Sequence, residues 1–128
     1  MKPSKLEGYT ADFTAIFANH LLTPVTIGVE AEVWRLGRSD SSGSNTYSAY
    51  IIFTRAGIAI MGDVRFASSK DGAAICYGYT KTWFSGDLNV DYLAEKFGMD
   101  AQSKSDNAAS SIAMLAVIQR MFRAQVPK

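Results

Sequence analysis

The residues able to do chemistry are few, and their types set the first limits. The single cysteine, Cys76, and the single histidine, His20, are all that the chain offers for thiol–imidazole catalysis, which needs a base beside the nucleophile. Cys76 falls between Ile75 and Tyr77 in a segment that reads as a weak strand, where cysteine is commonly a small core residue. His20 falls near the end of a predicted helix, where packing or the helix dipole accounts for it. A zinc site asks for several soft ligands, more than this pair supplies, so no metal and no cofactor is expected. Glu30 and Glu32 lie two apart on a predicted strand, roughly 7 Å from each other, which is within reach for paired acid–base work. The simpler reading is the solvated face of an antiparallel sheet. Asp63 completes this set of candidate acids, while Asp87 and Asp91 flank Asn89 as charges near a helix start. Gly78 and Gly86 are too far apart for a phosphate loop and lack its Lys-Ser/Thr. A non-catalytic protein is expected.

Aromatic residues are the denser signal. Tyr77, Tyr79, Trp83, Phe84 and Tyr92 crowd one stretch, and two readings stand: core packing of a short helix on the sheet, or a half-wet patch used for recognition, where aromatics and Arg dominate. Trp83, Tyr79, Tyr77, Tyr92 and Arg65 are the candidate binding residues. Trp83 and Tyr79 are expected at the sheet's edge, with Arg65 reaching toward it from the end of a strand. Arg35, Arg38, Arg55, Arg65, Lys70 and Lys81 give the middle of the chain a mild cationic bias. Gathered beside the aromatics, such cations hold a nucleotide by charge and stacking; scattered, they are ordinary surface.

These groups must be positioned by a single small domain. At 128 residues the chain can bury roughly two-thirds of its unfolded surface. Thirteen Lys and Arg against twelve Asp and Glu leave no basic excess, which argues against a protein held mainly by the phosphates of DNA. The lone cysteine excludes an internal disulfide, and no apolar run approaches the roughly 20 residues of a membrane span. The expected setting is the cytoplasm, without a membrane partner.

Residues 1–8 read as a flexible N-terminus before one domain over 9–128. Thr10 is placed as the N-cap of a helix over 11–22 that Thr23-Pro24 ends. From Val25 to Leu36 strict alternation predicts one strand, with Val25, Ile27, Val29, Ala31 and Val33 on its buried face and both carboxylates on the other. Thr46–Thr54 reads as a central strand covered on both sides, Arg55-Ala56-Gly57 as a turn, and Ile58–Val64 as the return strand ending at Gly62-Asp63. Ser68–Gly72 is read as a turn and Ala73–Tyr77 as a weaker strand. Asn89 caps a helix that Gly98 closes, with Tyr92 and Lys96 on one of its faces. Ser105 or Asp106 caps a last helix running to about Arg123, with Ala108, Ile112, Leu115 and Phe122 as its buried stripe. The fold class is therefore α+β: an antiparallel meander of three to four strands with an N-terminal helix and two C-terminal helices.

Within that plan, Gly62-Asp63, Tyr77-Gly78-Tyr79, Trp83-Phe84-Ser85-Gly86-Asp87-Leu88 and Asp91-Tyr92-Leu93-Ala94-Glu95-Lys96-Phe97 form a pattern. It resembles small accessory proteins of bacteriophages and prophages over residues 62–97. The segment from Ser105 through Ile118 is similar to the last helix of plasmid anti-restriction proteins of the ArdB type. Both resemblances imply a mobile element acting inside a host cell. They imply an origin more than a mechanism. Small size, the lack of catalytic groups and the aromatic-rich stretch then suit an inhibitor that binds a host defence protein, such as a CRISPR effector. The alternatives are a sponge for a nucleotide immune signal, which would assemble its pocket in a homo-oligomer, and an anti-restriction protein.

Overall fold

A computed structural model describes residues 5–38, 47–69, 75–86, 89–100 and 105–126. Helix α1 (Lys5–Ile16) runs through a short 3-10 turn into strand β1 (His20–Ile27). Strands β2 (Ala31–Arg38), β3 (Ala49–Thr54), β4 (Gly57–Gly62) and β5 (Phe66–Ser69) follow, then helices α2 (Gly78–Ser85), α3 (Val90–Lys96) and α4 (Asp106–Gln125). The five strands pair antiparallel in chain order, so the α+β meander is present with one strand more than expected. The expected strand over 25–36 divides into β1 and β2, while Ile75–Tyr77 form no strand. Strand β5 begins before the expected Ser68–Gly72 turn and runs into it, its Phe-Ala-Ser-Ser sequence carrying no periodic signal. It exists because Ile60↔Phe66 and Ile58↔Ser68 pairing completes β4.

The N-terminal boundaries also move. Lys5–Gly8 belong to α1, with Leu6 against the core, and Thr10 is interior to the helix, its hydroxyl donating back to the Leu6 carbonyl at 2.7 Å. The helix gives way at Ile16, and Pro24 lies within a strand. There it costs little, because β1 is an edge strand and its register shifts between Pro24 and Thr26. Gly28–Glu30 is the turn between β1 and β2, with the Gly28 amide donating to the Ala31 carbonyl at 2.9 Å. What reads as one long strand is thus the far end of β1 followed by β2.

Its buried face is also the opposite one. Glu32, Trp34 and Leu36 point into the core, while Val25, Ile27 and Val29 are exposed, Val29 by 90%. Alternation alone fixes the period and not the side. Trp34 and Leu36 bring more apolar surface than Ala31 and Val33, and they carry Glu32 inward with them. The buried carboxylate is then paired: its Oε2 lies 2.7 Å from Lys81 Nζ and accepts from Trp34 Nε1 at 2.7 Å. Lys81 also sits over the indole, 5.8 Å from its centroid, which ties α2 to β2.

Helices cover this inner face. Phe53 meets Phe84 of α2 at 5.9 Å and Phe122 of α4 at 5.1 Å, and Trp34 meets Phe122 edge-on at 5.9 Å. Helix α1 packs on α4, with the Tyr47 ring against both Phe13 and Phe17. The other sheet face, bearing Arg35, Tyr50, Ile52 and Met61, is half-buried to exposed.

Two glutamines settle the backbone groups that packing leaves over. Gln119, buried on α4, donates to the Phe84 and Gly86 carbonyls at 3.1 and 2.7 Å, and Arg123 Nε donates to the Ser85 carbonyl at 3.1 Å. Together they cap the C-terminal end of α2. Gln125 faces the β1 edge: its Oε1 accepts from the Leu22 amide at 2.8 Å, and its Nε2 donates to the His20 carbonyl at 3.3 Å. One side-chain amide stands there where a neighbouring strand's peptide would.

Candidate functional site

Local sequence builds the corner where β5, α2 and α3 meet. Asn89 Oδ1 accepts from the Tyr92 amide at 2.7 Å and starts α3, and Gly98, at φ +74°, ends it as expected. Helix α2 has no side-chain N-cap bond of its own. Instead, buried Thr80 donates from Oγ1 to the Thr54 and Tyr77 carbonyls at 3.0 and 2.8 Å, which pins α2 above the β3–β4 turn. Phe84, four residues on, is fully buried.

This placement turns Tyr79 and Trp83 of α2 toward Tyr92 and Lys96 of α3, across Gly57 and Ile58 of β4 and Ser68 and Ser69 of β5. Between them lies a cleft of about 270 Å³. Trp83 is half-buried: one ring neighbour is core Phe97 at 6.3 Å, and the other is Tyr92 at 6.2 Å. Tyr79 is 60% exposed and Tyr92 40%. Lys96 Nζ lies 5.2 Å from the Tyr92 ring centroid and places a cation at the cleft. The two readings of the aromatic stretch are therefore divided among its members. Phe84 is core, Tyr79 and Tyr92 are partly wet, and Trp83 belongs to both.

Not every candidate residue lines this cleft. Tyr77 is half-buried against the core, and its carbonyl serves Thr80. Arg65 is exposed between β4 and β5 and is absent from the lining. Lys96, Thr80, Gly57, Ile58 and the β5 serines are the lining residues that sequence reasoning left out of the site. The Lys96 signal was its shared helix face with Tyr92, whereas Ser68 and Ser69 gave none.

The candidate acids are dispersed. Glu30 is exposed in a turn while Glu32 is buried and paired, so the two share no solvated face. The Asp63 carboxylate accepts from the Ser48 amide at 3.0 Å, and the Asp63 amide donates to the Ser48 carbonyl at 2.9 Å. Cys76 is exposed in the bend before α2 rather than buried in a strand; Ala73 and Ala74 lie outside the described residues. His20 is buried on β1, 4.9 Å from the Phe17 ring. Among the described residues, no cluster of three or more His, Cys, Asp or Glu side chains forms, and no helix is long and apolar enough to cross a membrane.

The cleft depends on Gly57. At φ +154° an L side chain is strained, and an added Cβ would overlap the Ser68 carbonyl oxygen. Gly57→Ala is expected to lower stability by about 2 kcal/mol or more by prising β5 from β4. Amide exchange at Phe66 and Ser68 checks this: unchanged protection there would show that β5 does not depend on the close approach.

Comparison with protein families, with curated proteins and with solved structures finds no match to this chain.

Proposed function

We propose that this chain acts by binding a protein partner, seating one of the partner's aromatic or large aliphatic side chains in the cleft formed by Tyr79, Trp83 and Tyr92. In the setting implied by the phage resemblance, the partner is a host defence protein and the outcome is inhibition by occupation. The observation carrying this reading is the half-buried indole of Trp83, backed by core Phe97 and flanked by two exposed tyrosines. A rigid aromatic wall with wet polar rims is the chemistry of an interface hot spot.

Within one chain, a cleft of about 270 Å³ has room for a single anchor group. The sponge keeps one observation in its favour, since Lys96 and two serine hydroxyls stand beside stacking rings.

Expression in bacteria carrying a restriction or CRISPR system, followed by phage challenge, tests the proposal. Plaque formation is expected to recover with the wild-type chain and to be lost with Tyr79→Ala and Trp83→Ala. At Tyr79, 60% exposed, truncation should leave stability within about 0.5 kcal/mol. Trp83→Ala should weaken partner binding by about 2 kcal/mol or more while the chain stays folded. Protection that survives both variants removes the cleft from the function, and a nucleotide retained through purification by the wild type but not by Lys96→Ala establishes the sponge instead.

A further inference from the structure

The two edges of the sheet are not alike. At β1 the outward His20 carbonyl and Leu22 amide are taken by the Gln125 side chain. The next outward position is Pro24, which has no N–H, and the register shift follows it. These devices close an edge to further pairing. At β5 the alternation of hydrogen bonds can be read from β4. The Asp63 amide donates to Ser48 of the strand before it, so Ile58 and Ile60, of opposite parity, turn their peptide groups to β5. Their partners Ser68 and Phe66 face β4 in return. The peptide groups of Ala67 and Ser69 are then directed to the outer edge, beside the cleft that Ser68 and Ser69 line.

Resting on the anchoring role assigned to the cleft, we infer that the partner binds as an extended segment that adds a sixth strand to β5. Its backbone pairs with Ala67 and Ser69. The side chain opposite Ser68 points to the helix side of the sheet and fills the space between Tyr79, Trp83 and Tyr92, because alternate residues of a strand share a face. Lys96 is the charged residue of the lining, so the segment carries an Asp or Glu close to its aromatic or aliphatic anchor. The occupant is thus a β-strand of a protein, acidic and apolar together, rather than a helix or a free nucleotide.

The probe is the peptide obtained by selecting a displayed random library on the immobilised full chain, then made synthetically. Its affinity is measured for wild type, Trp83→Ala and Ala67→Pro, with a melting curve for each. Proline at 67 removes an outward N–H while leaving the groups of Phe66 and Ser68 that face β4. Loss of affinity of about tenfold or more is expected for both variants. Backbone N-methylation of the peptide at the residues facing Ala67 or Ser69 should cause the same loss on the wild-type chain, and it decides the matter where Ala67→Pro fails to fold. Binding that needs Trp83 but ignores both Ala67→Pro and N-methylation overturns strand addition and leaves the anchor standing. Binding indifferent to Trp83 as well overturns both, as does a library that yields no binder.

Discussion

Phe53→Ala is expected to lower the stability of this protein by about 3–5 kcal/mol, with the melting temperature falling by roughly 10–20 °C. The side chain is fully buried in the centre of the inner face, between Phe84 of α2 and Phe122 of α4. Those two rings also touch each other, at 5.7 Å, so all three elements lose a shared contact at once. Because Phe53 lies on the middle strand, the resulting cavity has no flexible loop to collapse into it. Phe53→Leu keeps most of the volume and should cost far less, under about 1.5 kcal/mol. A Phe53→Ala variant melting within about 2 °C of wild type would show that this strand is not the centre of the core.

The second large effect concerns the buried ion pair. Glu32→Ala leaves the Lys81 ammonium without its anion and the Trp34 N–H without its acceptor, and should destabilise by about 2–4 kcal/mol. The expectation lies near the low end for a buried pair because the Lys81 side chain keeps 24% of its surface, and with it a path to water. Replacing both partners by leucine should return most of the loss, since two apolar side chains need no desolvated charge to be matched. Urea denaturation of Glu32→Leu, Lys81→Leu and the double variant measures the coupling directly. Additive losses would mean that the pair, though close, contributes nothing as a pair.

How far the sequence discloses this structure depends on the range of the interaction concerned. Asn89, Gly98 and Ser105 were readable as helix ends because caps act within a few residues. The same locality brought Tyr92 and Lys96 onto one face. Glu32 was misplaced because alternation is symmetric about the strand, and the deciding partner, Lys81, arrives from α2, a helix that nothing in the strand announces. Helix α2 itself lies in an aromatic run that composition alone would equally give to a strand. It is held helical by Thr80 at one end and by Gln119 and Arg123 at the other. Strand β5 has the least local signal of all, which is why Ser68 and Ser69 were missed while Tyr79 and Trp83 were placed at the sheet's edge. The candidate cleft was thus legible in its aromatic half and hidden in its β half.

The packing of α1 on α4 has a bearing on the order in which the chain acquires its structure. Lys5 and Asp106, from the two helices, lie 2.9 Å apart, and Gln125 reaches Leu22 across 103 residues of sequence. By contrast, every strand pair joins neighbours in the chain. Neighbouring strands need only short loops to close, whereas the helix pair needs nearly the whole length between them, so the meander can form well before its cover. During synthesis α2 can cover Phe53 from one side through Phe84, but the contact with Phe122 waits for α4.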